Sequence, residues 1–182
     1  MPQIPLTKGQ FALVDDCDYQ ALIALGKWCL SNSGYAVHYF VDATGKRKML
    51  YMHRVVMQQT LGQPILPGLQ VDHINLNRLD NRRENLRLAT RSQNQANKGV
   101  QTNNSSHYKG VNGNGGRWEA RIRFQGKRFF LGKYDDPRIA ALIYDAASRH
   151  FYRDFAGCNF PNEATPPSIE AMFRDIIRRK TQ

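Results

Sequence analysis

The chain has little to hold or anchor it except packing. Its 182 residues include three cysteines. Cys17, Cys29 and Cys158 are widely spaced and odd in number, so neither a disulfide framework nor a Cys-x-x-Cys zinc site is expected. No apolar run approaches the ~20 residues that cross a bilayer. The first residues, MPQIPLTKGQ, lack the charged-then-apolar layout of a signal peptide. These absences imply a cytoplasmic chain with no membrane partner. Acidic residues are also scarce, 15 against 26 Lys and Arg, giving a formal net charge of +11 and a pI near 9.9. Such a balance favours a polyanionic partner, and the excess rises toward the C-terminal half. With 41% hydrophobic and 10% aromatic residues there is enough apolar material for packed cores, which excludes disorder across the whole chain. The length suits one domain or two small ones.

The first third reads as short strands around one helix. Phe11–Val14 is an expected strand, and Asp15, Asp16 and Asp18 supply acidic groups to the start of a helix that Gly26 ends. Tyr35–Val41 alternates as a strand and pairs with Met49–Met52 across a turn at Asp42–Lys48. Trp28 and Tyr35 are candidate core residues. His53–Leu61 is expected to be helical until Gly62, Pro64 and Pro67 break the pattern. Strands at Leu69–Val71 and Leu86–Ala89 then flank a polar loop, and a helix follows from Arg91 to Lys98. The Gly/Asn/Ser-rich stretch 99–106 reads as a linker. Beyond it lie strand-like runs at Tyr108–Val111, Arg117–Phe124 and Lys127–Tyr134, separated by Gly113–Gly116 and Gln125-Gly126. Asp136-Pro137 opens a helix as N-cap and first helical residue. Ala140, Ile143, Tyr144, Ala147 and Phe151 share one face of it. A basic amphipathic helix closes the sequence at Ser168–Lys180.

The densest chemistry lies between Asp72 and Asn94. Asp72-His73 follows a strand, with Asn85 and Asn94 placed 12 and 21 residues after the histidine. Hydrolysing a phosphodiester needs a base for water and a Lewis acid for the phosphate. A neutral imidazole at His73 suits the first role. Asp72 and the side-chain oxygen of Asn94 are hard donors, a sparse set that suits Mg²⁺. Asn85 can fix the orientation and tautomer of the imidazole. On spacing alone, a hydrogen-bonded histidine in a turn explains the pair equally well.

The flanking sequence decides the matter. MHRVV followed by VDHINLNRLDNRRENLRLATRSQNQANK resembles the HNH nucleases, in the branch of phage and intron-encoded homing endonucleases, from about Tyr51 to Lys98. That resemblance implies a ββα-metal core in which His73 is the general base and Asn85 positions it. It places one divalent ion, Mg²⁺ or Mn²⁺, on Asp72 and Asn94. Asn97, on the same helical face, is a competing ligand. His53 fits the pattern and is read as structural. No structural zinc is expected, so Leu79, Leu86 and Leu88 are expected to hold the hairpin by packing. Arg82, Arg83 and Arg87 are candidate phosphate contacts, as are Arg78 and Arg91.

Residues 105–161 carry a second resemblance. SSHYKGV, GRWEARIRF, KRFFLGKYDD, AALIYDAASRHFY and CNFP look like the DNA-binding domain of plant Apetala-type ethylene-response factors, which lays a three-stranded sheet in the major groove. It implies DNA contacts at Lys109, Arg121, Arg123, Arg128 and Phe130, to which the strand reading adds Arg117 and Lys127 as candidates. Asn112 and Asn114 replace arginines of that family, so its recognition site does not transfer. Alternation supports the groove role independently. Arg117, Glu119, Arg121 and Arg123 share one strand face, and Trp118, Ala120, Ile122 and Phe124 the other.

The expected fold is α+β. A ββα-metal core (51–98) carries an N-terminal β-rich extension (1–50). After the linker, a three-stranded antiparallel sheet packs on one helix (107–161), followed by the basic helix (162–182). The expected function is metal-dependent cleavage of double-stranded DNA by a monomer or weak dimer that nicks one strand, in a prokaryotic or phage-infected cell near the nucleoid. A sequence-specific DNA-binding regulator with a vestigial nuclease half is the alternative.

Overall fold

The computed structural model describes residues 2–100 and 104–181. Its contacts divide the chain into two units, Met1–Arg91 and Ser92–Gln182, each α+β. The division falls inside the stretch expected to form the nuclease core.

The first unit begins with an antiparallel pair, β1 (Gln3–Pro5) and β2 (Phe11–Leu13). Helix α1 (Asp16–Ala24) follows, with Asp16 and Asp18 in its first turn, where negative charge complements the helix dipole. Strands β3 (Cys29–Leu30), β4 (Ala36–Val41) and β5 (Arg47–Tyr51) form a three-stranded meander. Helix α2 (Met52–Leu61) runs directly out of β5. β6 (Leu69–His73) and β7 (Leu86–Thr90) then form an antiparallel hairpin in which Asp72 faces Arg87 and His73 faces Leu86. One core unites these pieces: Ile4, Val14, Leu22, Trp28, Met52, Val56, Val71 and Leu86 are buried together, with Leu79 and Leu88 packed against them. The leucines expected to hold the hairpin therefore do so, and Ile4, Leu6, Ala12, Val14, Leu22, Trp28 and Ala36 of the N-terminal segment share the same core.

The second unit opens with helix α3 (Arg91–Asn97), which follows β7 with no intervening residue. The expected linker partly lies outside the described residues, at 101–103. Its end is an ordered turn: Ser106 is buried, and its hydroxyl donates to the carbonyls of Tyr108 and Val111. Strand β8 is Val111–Asn114 rather than the expected 108–111. The shift follows from Gly110, whose φ of +72° turns the chain and whose missing Cβ would sit 2.0 Å from the Tyr144 ring. Gly113 and Asn114, expected in a turn, therefore pair with Trp118 and Arg117. β9 (Arg117–Phe124) and β10 (Lys127–Tyr134) match their expected bounds and complete the order β10-β9-β8.

Helix α4 (Pro137–Tyr152) is capped by the Asp136 carboxylate, which accepts from the Arg138 amide at 2.7 Å. Its apolar face covers Val111, Ala120, Ile122 and Leu131. Helix α5 (Pro167–Thr181) buries Ile169 and Phe173 in the same core, so the sheet packs with two helices rather than one.

Candidate active site

His73 ends β6, where the strand gives way to the loop that returns at β7. The loop is wired by its own asparagines. Asn75 and Asn77 each accept a backbone amide two residues on, from Asn77 and Leu79, the local turn chemistry that this residue favours. Asn85 closes the loop: its Oδ1 accepts from the Asn75 amide at 2.9 Å, and its Nδ2 donates to the Asp80 carbonyl at 2.8 Å. The imidazole meets a different asparagine, with Asn81 Oδ1 3.4 Å from His73 Nε2. Asn85, expected to touch the base, shapes the turn that delivers Asn81. Asn81 is fully buried, and its backbone amide donates to the Leu13 carbonyl at 2.8 Å. Strand β2 thus reaches into the loop beside the histidine.

The imidazole is buried, and desolvation lowers its pKa from the ordinary value despite the nearby Asp72 and Asp80 charges. His53 lies edge-on to it at 5.1 Å between ring centroids, itself flanked by Tyr35 and Tyr51. Burial, reinforced by the His73 and Arg54 charges, pushes His53 down to about 3. Both rings are therefore neutral near pH 7. Sequence reasoning read His53 as structural and missed the wall it forms; its three-residue motif MHR carries no signal of that partner. Leu76 adopts φ +65° just after the histidine, a left-handed conformation that a branched side chain adopts only under constraint.

Asp72 is buried, and its Oδ2 accepts from Arg87 Nε at 2.9 Å across the hairpin. Arg82 is held by Asp80 at 2.7 Å and by Glu84. Arg83 grips the buried Asp18 of α1 at 2.7 Å. Three of the five arginines expected at phosphates thus make ion pairs within the unit. Arg78 lies 4.8 Å over the Tyr35 ring. Asn94 and Asn97 stand on α3, in the other unit. Among the described residues no group of three or more His, Cys, Asp or Glu side chains is placed to share a metal. The donors that sequence assigned, one carboxylate and an amide oxygen, fit an ion that keeps its waters and takes phosphate oxygens as ligands.

On the second unit, one sheet face is polar. In register, Arg121 faces Phe130, Arg123 faces Arg128 and Glu119 faces Lys133. Arg117, Arg123, Arg128 and Phe130 are exposed there. Glu119 is buried at the centre; its carboxylate accepts from Asn114 at 2.6 Å and pairs with Arg121 and with Lys133 at 3.1 Å. The Asn114 and Lys133 bonds, with the charge of Arg121, hold it below the usual carboxylate range. Two expected contacts differ. Lys127 pairs with Phe124 and so takes the opposite parity, the face that meets α4. The Lys109 ammonium donates to the carbonyls of Ala96 and Lys98 at the end of α3, and burial lowers its pKa to about 8.

A model of the HNH endonuclease family matches residues 50–96, the stretch that runs from the end of β5 through the hairpin into α3. The chain is 32% identical over 152 residues to an uncharacterised HNH endonuclease of Acanthamoeba polyphaga mimivirus, covering 84% of this chain and 76% of that protein. It is also 45% identical over 67 residues to dehydration-responsive element-binding protein 2D and 43% identical over 67 residues to an ethylene-responsive transcription factor, both of Arabidopsis thaliana. These matches cover 35% of this chain and about a third of each plant protein. With a relative matched along most of both chains, and the family's signature folded as a hairpin with a neutral, buried histidine at its mouth, this chain belongs to the HNH endonuclease family and is a nuclease with DNA as its implied substrate.

Proposed function

We propose that this nuclease is a divalent-metal-dependent, homing-type DNA endonuclease in which His73 is the general base, Asp72 and Asn94 hold the ion, and the polar face of the second unit's sheet carries the enzyme to duplex DNA. The observation that carries the reading is the place of His73: buried at the mouth of the β6–β7 hairpin beside the buried Asp72, where desolvation lowers its pKa. A bound Mg²⁺ or Mn²⁺ supplies charge neutralisation at the phosphate and at the 3′ leaving oxygen.

The rest is done by side chains of this chain. The Asn81 carbonyl oxygen favours the tautomer with hydrogen on Nε2, so Nδ1 is the nitrogen that takes the proton of the attacking water. His53 and Tyr35 wall the ring off from bulk solvent, and this burial, helped by the Arg78 charge, disfavours its protonation. Asn85 acts through the backbone, fixing the Asn75–Asp80 turn that presents Asn81. On the sheet, Arg121, Arg123 and Arg128 offer guanidinium groups of the kind that read guanine or phosphate, and Phe130 offers an apolar contact. The similarity to the plant DNA-binding proteins supports this use of the face. One base per chain implies that a monomer nicks a single strand.

The test is conversion of supercoiled plasmid to open circle by wild type and His73→Ala, each with Mg²⁺ and with EDTA. Wild type with metal is expected to nick, and the variant to be slower by about 10²–10⁴-fold, the span of a lost general base. Nicking by wild type in EDTA overturns the metal assignment. A linear first product from a proven monomer overturns single-strand nicking. Equal cutting by both proteins overturns His73 as base.

A further inference from the structure

The family signature ends on a helix that belongs to the other unit. The match runs to residue 96, whereas the contact division falls between Arg91 and Ser92. The reason lies in what α3 touches. Ala96 is buried in the core of the second unit together with Val111, Ala120 and Ile143.

Both ends of α3 are tied into that unit. At its first turn the Ser92 hydroxyl lies 3.2 Å from the Tyr152 hydroxyl, and Tyr152 donates in turn to the carbonyl of Arg123 on the DNA-facing strand. At its last turn the Lys109 ammonium reaches the Ala96 and Lys98 carbonyls, the place where a cation complements a helix C-terminus. Lys109 is itself fixed at its backbone. Its amide donates to Asn159 Oδ1 at 2.6 Å, and its carbonyl accepts from Asn159 Nδ2 at 3.2 Å. Asn159 is held by the buried Asp145 carboxylate of α4 at 2.7 and 3.0 Å. Gly157 closes the socket: a Cβ there would sit 2.2 Å from the Ala96 carbonyl oxygen and 2.4 Å from Lys109 Nζ. Asn94 lies midway between the two ties.

We propose that Lys109, Gly157 and the Ser92–Tyr152 pair are positioning residues of the nuclease. The DNA-targeting unit holds α3, and so decides where Asn94 stands. The proposal rests on Asn94 being a metal ligand in the function proposed above. The helix that carries Asn94 is two hydrogen bonds, Ser92 to Tyr152 and Tyr152 to the Arg123 carbonyl, from the strand that carries Arg123. A helix of 7 residues is too short to be stable alone, so its conformation depends on this socket. It also explains why Lys109, a DNA contact by resemblance, points inward here.

The experiment uses the full chain and three variants, Gly157→Ala, Lys109→Met and Ser92→Ala, with three readouts. Hydrogen exchange of the amides at 92–97 in metal-free protein reports α3 directly. In all three variants it is expected to accelerate, by about tenfold for Lys109→Met, the scale of one hydrogen bond lost. The Mg²⁺ concentration for half-maximal nicking is expected to rise in parallel. Duplex binding in EDTA, measured for Gly157→Ala and Ser92→Ala, is expected to stay within about twofold of wild type.

Unchanged exchange and unchanged Mg²⁺ dependence in Lys109→Met and Ser92→Ala overturn the proposal. So does faster exchange with no shift in Mg²⁺ dependence, since α3 would then not set the ligand. If Gly157→Ala does not fold, the other two variants decide. If wild type cuts nothing in any metal, the metal-dependent reading fails, while the exchange readout still tests whether the second unit holds α3.

Discussion

The two units use arginine in opposite ways. Around the hairpin, Arg82, Arg83 and Arg87 are consumed by Asp80 and Glu84, by Asp18 and by Asp72. On the sheet, Arg123 and Arg128 are exposed on one face with Phe130 beside them. A basic composition is therefore two things at once. In the first unit it is scaffolding, and in the second it is an exposed face that the proposed function assigns to DNA. The difference follows from where carboxylates fall. The loop between β6 and β7 brings its own, whereas on the sheet face Glu119 pairs with Arg121 and Lys133 and Asp135 with Arg117, leaving Arg123 and Arg128 without a carboxylate partner among the described residues.

Breaking the scaffold arginines should cost stability and leave the salt dependence of DNA binding untouched. The largest effect is expected from Arg83→Ala, which strands the buried Asp18 carboxylate. A loss of about 3 kcal/mol is expected, read from urea unfolding. Breaking the display should do the reverse. Arg128→Ala should weaken duplex binding by about 1–3 kcal/mol, with the salt slope falling by roughly one and the melting temperature hardly moving. A stability loss in Arg128→Ala, or a changed salt slope in Arg83→Ala, would erase the distinction.

A third expectation concerns pH. His53 has a folded pKa near 3, below its unfolded value, so the unfolded chain binds the proton first as pH falls. The neutral ring contributes its stability above about pH 6.5, and that contribution is lost progressively on acidification, by about 1.4 kcal/mol per pH unit. Urea unfolding at pH 7, 6 and 5 measures the slope, and His53→Phe should flatten it. Burial lowers His73 too, so the acid limb of the nicking rate should be centred below pH 6.5. The smallest effect sharpens the sheet itself. Lys127→Ala, on the wrong face by parity, should change duplex binding by less than about 0.5 kcal/mol, and a loss as large as that of Arg128→Ala would contradict the register argument.

Much of this was readable beforehand because local signals were strong. Asp136-Pro137 started a helix, Gln125-Gly126 made a turn, and the alternation of Arg117–Phe124 survived to the residue. β8 lies three residues later than expected because Gly110, read as part of the strand, instead turns the chain past the Tyr144 ring of α4, while Gly113 and Asn114, read as a turn, join the strand. The site was legible as a set of residue types and illegible as a network. Asn81 and Asn85 stand in the same polar run, and no local rule says which one faces the ring. That depends on Leu13, far off in sequence, which holds Asn81 by its backbone. The pairings of Arg83 with Asp18 and of Lys109 with α3 are hidden for the same reason, since they join segments that no periodicity relates.

The bridge between Leu13 and Asp80 also sets an order of events. Leu79 accepts from the Leu13 amide and Asn81 donates to its carbonyl, so the catalytic loop closes only on a strand made more than sixty residues earlier. Contacts of such separation form late, after local helices and hairpins. During synthesis, the Leu79 and Asn81 partners of Leu13 are made more than sixty residues after it. The loop beside the histidine is thus pinned to the body of the first unit through a single residue of β2, so a change at Leu13 reaches Asn81 without touching the site.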